Sequence, residues 1–472
     1  MFPESQIKNI HLIGICGTAM ASLAGMLKVS GYTVRGSDQN VYPPMSDFLQ
    51  SLEISVYSGY SETHLDPKPD LVIVGNAISR GNPEVEYTLN AKLRYISLAE
   101  VLKEFFIRGK KSIVVAGTHG KTTVTSLLAW LLEYAGLEPS FLVGGIAENF
   151  GSSFKLGKGE IFVIEGDEYD TAYFDKGPKF LHYLPDWVIF NNCEFDHADI
   201  YTDLEAVKTS FRRLINIIPS GGRLIAGLDD PVVRELSDSS FCPVESFGLE
   251  SESVWAAASV RQFQQLTRFE VRYRGQPWGE VEVPLFGLFN VKNTLAALAC
   301  AHGLGVEKEK LIEGIRRFRN VKRRLEVRGQ SRGITVFDDF AHHPTAIRET
   351  LRAVKARYPE SRVWAIFEPR SATSRRNIFQ KEFVEALQEA DRVVLCAPFA
   401  AEKLDPAIRL DVGRIVEDLM GRGVAAATWN SADEIVRNVV PQLTAGDKVV
   451  IMSNGGFGGI HLKMIQALEA RL

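Results

Sequence analysis

The sequence predicts an α/β protein made of three domains, each built around a largely parallel β-sheet. Two observations support this prediction. The chain has 472 residues, more than a single hydrophobic core normally serves, so two or three domains are expected. Short apolar runs typical of buried strands alternate with helical patterns along the whole chain, in three successive blocks. We place the domains at residues 1–108, 109–325 and 326–472.

The predicted strands follow the order of these blocks. In the first block they are 10–14, 32–38 and 70–76, and a charged connector near 105–111 closes the block. In the second block they are 112–117, 160–168, 187–192 and an alternating segment 268–275, followed by a helix over 291–305. In the third block they are 334–340, 362–369, 391–398 and 447–454. Parallel sheets bind ligands beyond the carboxyl ends of their strands, so the residues that follow these strands are the candidates for a site.

The composition indicates a soluble globular protein and disfavours several kinds of partner. Hydrophobic residues make up 45% of the chain and charged residues 24%, with a net charge of -4, so nucleic acid is not an expected partner. The five cysteines are scattered without a CxxC pair, which favours reduced thiols in the cytoplasm over disulfides or a zinc site. No apolar run approaches the ~18 residues that a membrane-spanning helix needs.

The segment 117-GTHGKTT-123 lies between a predicted strand and a predicted helix, which is the position of a phosphate-binding P-loop. Backbone N–H groups and a helix N-terminus converge there and provide partial positive charge for phosphate oxygens. Lys121 would reach the terminal phosphates of ATP, and the Thr122 hydroxyl would join the shell of a Mg²⁺ ion. The alternative is an ordinary glycine turn before a helix. The nucleotide-binding candidates are Gly117, Thr118, His119, Gly120, Lys121, Thr122 and Thr123.

Two further candidate metal ligands follow strands of the second block. Glu165 begins the acidic string EGDEYD at the end of one apolar strand, and carboxylate oxygens are preferred ligands of Mg²⁺. His197 lies in the string EFDHAD, which follows another strand. A lone histidine is often structural, whereas a histidine beyond a strand end is well placed to bind a metal or to position a carboxylate. Both interpretations of His197 stay open at this point.

The short loop GTHGKTT, the E-x-D-E cluster and the later D-H-x-D string together resemble the Mur ligases, the ATP-dependent amide-forming enzymes of bacterial cell-wall assembly. The resemblance extends over the whole chain. It implies a Rossmann-like domain that binds a UDP-sugar, a central P-loop ATPase domain, and a C-terminal Rossmann-like domain that admits the incoming amine. The cofactors that it implies are ATP and Mg²⁺.

The string 14-GICGTAM-20 follows the first predicted strand. It does not match the dinucleotide fingerprint G-x-G-x-x-G, because Cys16 and Ala19 take two of the glycine positions, so an NAD-dependent oxidoreductase is a weak alternative. In the Mur ligases the corresponding loop holds the diphosphate of the UDP-sugar. The resemblance implies that the UDP-sugar contacts come from Gly14, Gly17, Thr18, Ser37, Asp38, Asn76 and Ala77.

Further matches to the family place candidate nucleotide contacts late in the central block. Asn290 and Asn293 match the family pattern G-x-H-N-x-x-N, with Phe289 where histidine is usual. Arg324, in the string KRRLE, matches the arginine-bearing link between the second and third domains and is implied as a γ-phosphate contact. The alternatives are an amphipathic helix with outward-facing asparagines and a solvated helix end.

The string 338-DDFAHHPTAI-347 follows the first strand of the third block and resembles the family segment D-D-Y-A-H-H-P-T-E. The resemblance implies that Asp338 and Asp339 hold ribose hydroxyls or the water around the metal. His342 is a candidate acceptor for the proton of the incoming amine. The alternative is that these residues cap the helix that Pro344 opens.

Two C-terminal strings distinguish branches of the family. The strings 368-EPRSATSRR-376 and 452-MSNGGFGGIH-461 differ from those of the branch that adds L-alanine to UDP-N-acetylmuramate. They resemble those of the branch that attaches the murein tripeptide L-alanyl-γ-D-glutamyl-meso-diaminopimelate to the same nucleotide during peptidoglycan recycling. Arg370 would clamp a peptide carboxylate, and the glycines would let the backbone approach the substrate. The implied peptide contacts are Arg370, Ser371, Asn454, Gly455 and Gly456.

The implied reaction activates a carboxylate with ATP. The γ-phosphate passes to the lactyl carboxylate of UDP-N-acetylmuramate, and the tripeptide amine then attacks the acyl phosphate. Lys121, Arg324 and Mg²⁺ would neutralise charge on the transferred group. A nucleotide switch acting on a partner protein is the alternative from another class, and the two additional α/β blocks favour an enzyme. The carbamylated lysine of many Mur ligases is not carried over to Lys208.

Overall fold

The structure is a computed structural model that describes residues 7–42 and 45–470. The chain divides into two compact units. The first unit contains the chain up to residue 193, together with 205–255 and 295–314. The second unit contains residues 194–204, 256–294 and the chain from residue 315 onward. The domain boundaries expected at 108/109 and 325/326 remain predictions.

The first unit opens with a parallel five-stranded sheet. Its strands are β1 (Asn9–Ile13), β2 (Thr33–Asp38), β3 (Ser55–Ser58), β4 (Leu71–Val74) and β5 (Tyr95–Ser97), with helices α1 (Thr18–Val29), α2 (Met45–Ser51), α3 (Pro83–Asn90) and α4 (Leu98–Val101). The strand order is β3-β2-β1-β4-β5, and every neighbouring pair is parallel. The order therefore reverses at β1, and the crevice between β1 and β4 is the expected ligand position of a doubly wound sheet.

The rest of the first unit contains a larger sheet. Its elements are β6 (Lys111–Ala116), α5 (Lys121–Tyr134), β7 (Ser140–Ala147), β8 (Ser152–Lys155), β9 (Ile161–Gly166), β10 (Asp170–Ala172), β11 (Asp175–Pro178), β12 (Trp187–Phe190), α6 (Leu204–Asn216), β13 (Arg223–Gly227), α7 (Pro231–Ser237) and β14 (Val244–Gly248). Within this unit the order is β14-β13-β12-β6-β9-β7-β8, with only β7 and β8 antiparallel among these pairs, and β10 and β11 form a separate hairpin. The strands β6, β9 and β12 thus end side by side.

The second unit combines an antiparallel segment with another mostly parallel sheet. Its elements are β15 (Trp255–Gln262), β16 (Thr267–Tyr273), β17 (Gln276–Val283), the start of α8 (Leu288–Gly303), the end of α9 (Lys308–Arg316), β18 (Glu326–Ser331), β19 (Ile334–Asp339), α10 (Pro344–Arg357), β20 (Val363–Phe367), α11 (Gln380–Leu387), β21 (Arg392–Cys396), α12 (Val412–Gly421), β22 (Ala425–Trp429), α13 (Ala432–Val439), β23 (Lys448–Met452) and α14 (Ile460–Ala470). The C-terminal sheet has the order β18-β19-β23-β20-β21-β22, and only β18 runs antiparallel to its neighbour.

Apolar side chains cover both faces of the C-terminal sheet. Leu351, Phe367 and Phe383 belong to the cluster on one face. Ile366 and Met464 belong to the cluster on the other face. Because successive strand residues point to opposite faces, a strand covered on both sides is a continuous apolar run, which is why VWAIF was recognisable as a buried strand.

The predicted strands are all present, and their ends agree with the predictions to within two residues. The helix expected over 291–305 spans Leu288–Gly303. Three helices begin with a polar capping residue followed by proline: Asn82–Pro83, Asp230–Pro231 and His343–Pro344. Proline suits the first helical turn because its missing N–H would have no intrahelical partner there. None of the helices in the described ranges combines the length and the hydrophobicity that crossing a bilayer requires.

Other helical segments are short. Leu102–Ile107 is a π-helix, and 3₁₀ helices span Glu62–Leu65, Lys179–His182, Asn377–Phe379, Ala401–Lys403, Val440–Gln442 and Phe457–Gly459. The π-helix directly follows α4 and precedes β6, so it lies at the connector that the sequence predicted near 105–111.

A buried carboxylate anchors the start of β23. Asp447 is 2% exposed and accepts hydrogen bonds from the Arg362 guanidinium (3.1 and 2.6 Å), the Thr444 N–H (2.9 Å) and the Trp364 indole (3.2 Å). Burial alone would raise the pKa of Asp447, but the hydrogen bonds with Arg362 and Thr444 outweigh it and lower the pKa. Because the folded pKa is depressed, this contribution to stability is present above the unfolded value and is lost as the pH falls through the folded one.

We expect Asp447→Ala to lower the free energy of unfolding by about 2–4 kcal/mol, because the Arg362 guanidinium, the Thr444 N–H and the Trp364 indole lose their acceptor. Urea denaturation measures the effect. The matched control is Asp433→Ala, whose partner Lys463 lies at 2.8 Å with both side chains exposed. An exposed pair contributes little, so that change should stay within about 0.5 kcal/mol of the parent. Equal effects of the two substitutions would contradict the assignment of Asp447 as an anchor.

Candidate active site

The predicted P-loop is present between β6 and α5. Gly120 caps α5 in the left-handed conformation (φ 85°), and Gly117 also has a positive φ of 130°. A Cβ on Gly117 would lie 2.9 Å from the carbonyl oxygen of Asn192, so this position has no room for a side chain. Asn192, at the end of β12, accepts hydrogen bonds from the N–H groups of Thr118 (3.1 Å) and His119 (2.7 Å). Asn192 thereby fixes the loop, a role that the sequence did not reveal.

Lys121 lies on the first turn of α5 with its ammonium turned back onto the loop. It donates to the Gly117 carbonyl at 2.7 Å and to both carboxylate oxygens of Glu168 at 2.9 and 3.1 Å. Burial alone would lower the pKa of Lys121, but the charges of Glu168 and Asp167 outweigh it and raise the pKa. The ammonium is therefore held charged beside the loop, as binding of a phosphate requires.

Thr122 and Glu165, two of the predicted metal ligands, lie next to each other. The Thr122 hydroxyl donates to one oxygen of Glu165 at 3.1 Å, and the Gly144 N–H donates to the other at 2.6 Å. Glu165 lies near the end of β9, beside the P-loop that follows β6, because these two strands are paired in parallel. A carboxylate and a hydroxyl side by side provide the hard oxygen donors that Mg²⁺ prefers, so these residues fit the implied metal.

Lys208 is engaged elsewhere, on α6. Its ammonium lies 2.8 Å from Glu205 and 2.7 Å from Glu235, and hydrogen bonds with these two carboxylates raise its pKa. That the carbamylated lysine of related enzymes is not carried over to this position remains a prediction.

The predicted UDP-sugar residues lie at the switch point of the first sheet. The N–H groups of Gly14 and Ile15 donate to the Ser37 carbonyl at 2.8 and 3.0 Å, and the Cys16 N–H donates to Asp38 at 2.9 Å. Gly17 is the N-cap residue of α1, and no side chain caps this helix end. The loop after β1 is thereby tied to the end of β2. Four of the candidates in this region are exposed: Gly17, Thr18, Asn76 and Ala77.

A buried polar cluster around Glu84, which the sequence did not reveal, holds Ser37 and thereby supports this loop. The Glu84 carboxylate is fully buried and lies 2.5 Å from the Ser37 hydroxyl, 3.0 Å from His11 Nε2 and 2.8 Å from His64 Nδ1. Burial raises the pKa of Glu84, but hydrogen bonds with His11 and Ser37 outweigh it and lower the pKa; burial lowers the pKa of His11. The Ser37 side chain therefore faces the cluster, and its carbonyl faces the loop.

In the second unit, a cluster of acidic and imidazole side chains surrounds His197. His197 has a positive φ of 55°, and its N–H donates to Asp196 at 2.7 Å. The Nε2 atom of His342 lies 3.9 Å from the other Asp196 oxygen. Burial would raise the pKa of Asp196, but the positive charges of His197, His342 and His343 outweigh it and hold the pKa far below its usual range. The structure thus brings the two predicted histidines, His197 and His342, around one carboxylate.

His343 has the capping role that was the alternative for its string. Its Nδ1 accepts from the Thr345 N–H at 3.3 Å, and its Nε2 donates to the Phe195 carbonyl at 3.2 Å. Its Nδ1 also lies 3.3 Å from a carboxylate oxygen of Glu194. His343 and Glu194 also line a pocket of about 200 Å³ in this unit.

Asn290 and Asn293 lie on α8, and both are buried rather than facing outward. The Asn290 amide donates to the Phe286 carbonyl at 2.8 Å, and the Asn293 amide donates to Asn290 at 3.0 Å. The interpretation of an amphipathic helix with outward-facing asparagines does not hold, because the two side chains are 8% and 6% exposed. They form a fixed polar pair at the start of the helix.

Asp338 and Asp339 at the end of β19 are both nearly buried. Asp338 lies 3.3 Å from His461 and 3.4 Å from Arg323, and these partners lower its pKa against the opposing effect of burial. Asp339 accepts from the N–H groups of Leu325 (2.7 Å) and Ala341 (2.8 Å), yet burial raises its pKa. Asp339 therefore holds neighbouring backbone in place, whereas Asp338 pairs with side chains, and the ribose or metal-water contacts implied for both remain predictions.

Arg324 lies two residues before β18. Its guanidinium is 5.2 Å from the centre of the Phe340 ring, and so is that of Arg323. Arg323 also donates to the carbonyls of Ser453 (2.6 Å) and Gly455 (2.8 Å). The neighbouring arginines therefore differ: Arg323 is tied to the glycine-rich segment after β23, while Arg324 is the one the family pattern assigns to phosphate.

The two strings assigned to peptide binding are adjacent in the second unit. The Arg370 guanidinium stacks 3.7 Å from the centre of the Phe399 ring, and its Nη1 lies 3.7 Å from Glu368. Gly455 packs against the same guanidinium so closely that any Cβ there would overlap it. Ser371 donates to the Ser374 hydroxyl at 2.8 Å, and Asn454 has a buried Oδ1 without a hydrogen-bond partner in the described part of the chain.

Comparisons with known proteins agree with this arrangement. Three Mur ligase models match: the Mur ligase family catalytic domain over residues 9–110, the middle domain over 115–301 and the glutamate ligase domain over 323–455. The chain is 41% identical over 467 residues to the UDP-N-acetylmuramate--L-alanyl-gamma-D-glutamyl-meso-2,6-diaminoheptandioate ligase of Haemophilus influenzae, covering 98% of this chain and 100% of that one. It is also 41% identical over 466 residues to the Escherichia coli K12 protein of the same name, covering 98% and 99%.

A solved structure shows the same relationship. The murein peptide ligase of Psychrobacter arcticus superposes with a TM-score of 0.74 at 36% identity, covering 98% of this chain and 99% of that one. The predicted three-domain α/β class is confirmed, because three successive family domains match along the chain. With a P-loop, adjacent metal-ligand candidates and near full-length similarity to these proteins, the chain belongs to the Mur ligase family.

Proposed function

We propose that this protein uses ATP to join the tripeptide L-alanyl-γ-D-glutamyl-meso-diaminopimelate to UDP-N-acetylmuramate, as a step in the cytoplasmic recycling of peptidoglycan. The observation that carries the proposal is the arrangement of Lys121, Thr122 and Glu165 at one strand end, which suits a nucleotide phosphate and a divalent cation. The names of the two relatives at 41% identity support the choice of the tripeptide as acceptor. The domain boundaries 1–108, 109–325 and 326–472 belong to the same proposal.

The chemistry requires activation because a carboxylate does not react with an amine at neutral pH. The lactyl carboxylate of UDP-N-acetylmuramate attacks the γ-phosphorus of ATP, and ADP leaves. The tripeptide α-amine then attacks the carbonyl carbon of the acyl phosphate. A C–N bond forms, the C–O bond to phosphate breaks, and the amine proton passes to a base. The products are the amide, ADP and inorganic phosphate.

The first unit supplies the phosphate-binding groups. The N–H groups of the Gly117–Thr123 loop bind phosphate oxygens, and the Lys121 ammonium offsets charge on the transferred group. Thr122 and Glu165 would hold Mg²⁺, which supplies charge neutralisation for the phosphates when bound. Glu168 orients Lys121 through its two hydrogen bonds. The loop from Gly14 to Thr18, with Asp38, Asn76 and Ala77, binds the UDP-sugar.

For the second unit we retain the roles that the family pattern implies. Arg324 contacts the γ-phosphate, and His342 accepts the amine proton. The nucleotide contacts are Asn290, Asn293, Asp338 and Asp339, the metal ligand is His197, and the peptide contacts are Arg370, Ser371, Asn454, Gly455 and Gly456. The Asp196 carboxylate near His342 supports proton acceptance, because a neighbouring anion stabilises an imidazolium ion.

One assay tests the proposal against its rivals. Phosphate release from ATP is measured with UDP-N-acetylmuramate and either the tripeptide, L-alanine or no amine, and mass spectrometry identifies the product. We expect release and amide formation with the tripeptide, and at least about 100-fold lower kcat/KM with L-alanine, because alanine lacks the carboxylates that Arg370 would bind. Preference for L-alanine would favour the alanine-adding branch. Sustained release without an amine acceptor would favour a nucleotide switch.

A further inference from the structure

The residue that follows His197 is held on both of its backbone groups by the peptide-binding segment. The Ala198 N–H donates to the Thr373 hydroxyl at 3.1 Å, and the Arg376 guanidinium donates to the Ala198 carbonyl at 2.8 Å. Thr373 is 3% exposed, so its hydroxyl is committed to this contact in a dry environment. These two bonds join positions separated by more than 170 residues in sequence.

The backbone at His197 needs such support. Its φ of 55° is the left-handed conformation, which costs a residue with a Cβ about 1 kcal/mol or more unless its surroundings enforce it. The His197 carbonyl accepts from the N–H groups of Ile200 (2.8 Å) and Tyr201 (3.0 Å), while its N–H is held by Asp196. The bonds from Thr373 and Arg376 fix the next peptide group, and together these contacts set the direction of the His197 imidazole.

The segment from Arg370 to Arg376 is itself a compact turn. The buried Ser374 hydroxyl accepts from the N–H groups of Arg370 (3.1 Å) and Ser371 (3.0 Å), and Arg376 forms an isolated bridge with Arg409. A displacement at Arg370 therefore reaches Thr373 and Arg376 through short, hydrogen-bonded connections. The segment has one end in the proposed peptide site and the other on the peptide group beside His197.

We infer that Thr373 and Arg376 are positioning residues that couple binding of the peptide at Arg370 to binding of a divalent cation at His197. The inference rests on the proposed function, which supplies the roles of Arg370 and His197. Coupling between two sites is reciprocal, so the peptide tightens cation binding by the same factor by which the cation tightens peptide binding. Mn²⁺ takes the carboxylate and water ligands that Mg²⁺ takes, and its unpaired electrons make it detectable, so that ion is an appropriate probe.

The test measures Mn²⁺ binding rather than turnover. The protein is mixed with a non-hydrolysable ATP analogue and UDP-N-acetylmuramate and is titrated with Mn²⁺, while free Mn²⁺ is followed by electron paramagnetic resonance, with and without the tripeptide. We expect the tripeptide to tighten Mn²⁺ binding by at least about 5-fold, the lower end of ordinary coupling between sites. Thr373→Val and Arg376→Met should each reduce this factor to below about 2-fold.

Two variants serve as controls. Thr373→Ser keeps a hydroxyl and should retain the coupling of the parent protein. Arg414→Met removes an arginine of the same unit that is 63% exposed and paired with Asp418 on α12, and it should also retain the coupling. Melting temperatures of all samples show which of them are folded under the conditions of the titration.

The outcomes separate this inference from the proposed function. A parent protein that forms the amide with the tripeptide but shows no effect of the tripeptide on Mn²⁺ binding overturns the inference alone. Coupling that persists in both Thr373→Val and Arg376→Met also overturns it, even where melting temperatures fall, since that result indicates a purely structural contact. Failure of the parent protein to use the tripeptide refutes the proposed function instead.

Discussion

Lys121→Ala is expected to lower kcat by about 10³-fold, because it removes the positive charge that acts on the phosphoryl group as it is transferred. The KM of the variant for ATP should change much less than kcat, since the loop N–H groups that bind the ground-state phosphates remain. Formation of the amide, measured with saturating UDP-N-acetylmuramate and tripeptide, reports the loss. The substitution also removes the partner of Glu168, whose side chain is 3% exposed.

The loss of that partner predicts a second effect, on stability. Leaving the Glu168 carboxylate buried without its cation should lower the free energy of unfolding by about 2–3 kcal/mol. A double variant, Lys121→Met with Glu168→Gln, removes both charges and should regain most of this stability while remaining inactive. Activity and stability thus separate, and an inactive but stable double variant shows that the ammonium has a chemical role beyond holding the loop together.

The control for these variants is Lys158→Ala. Lys158 is an exposed residue in the turn between β8 and β9 of the same unit, so its loss should leave both kcat and the unfolding midpoint close to those of the parent. A Lys121→Ala protein that forms the amide at the parent rate would contradict the assignment of the P-loop as the phosphoryl-transfer site. It would also remove the main support for ATP-driven ligation.

The parallel sheets and the P-loop were predictable because their determinants are local. Strands buried on both faces are continuous apolar runs, such as VWAIF at β20 and WVIF at β12. The loop needs two glycines at Gly117 and Gly120 for positive φ, followed by Lys121 and Thr122 on the first helical turn, and all of these are contiguous in sequence. The antiparallel edge pair β7 and β8 was missed, because its register is irregular and β8 is only half-buried.

The supporting residues were not predictable, since their roles depend on contacts between distant positions. Asn192 and Glu168 hold the P-loop from 73 and 47 positions away. Glu84 occupies the first turn of α3, where an acidic residue is usually solvated, and only the fold places it beside His11. Sequence patterns therefore predict candidate ligand contacts, while the groups that orient these candidates emerge from the structure.

Gly455→Ala is expected to raise the KM for the tripeptide by about 10- to 100-fold, because the new methyl group would overlap the Nε and Cδ of Arg370. The overlapping atoms belong to the flexible side chain of Arg370, so this side chain moves rather than the backbone, and the cost to stability should be about 1 kcal/mol, the lower end for an overpacked site. The guanidinium then leaves its position on Phe399 and is no longer placed to form a bidentate contact with a peptide carboxylate.

Arg370→Ala should give the same KM defect, and the double variant should be no worse than either single change, because both act through one guanidinium. Gly421→Ala, at the end of α12, adds a methyl group where no atom lies within 4 Å and serves as the matched control. Steady-state kinetics with the tripeptide as the varied substrate measures these effects. If Gly455→Ala and Arg370→Ala have additive effects on KM, the glycine contacts the peptide directly, and its role is not to make room for Arg370.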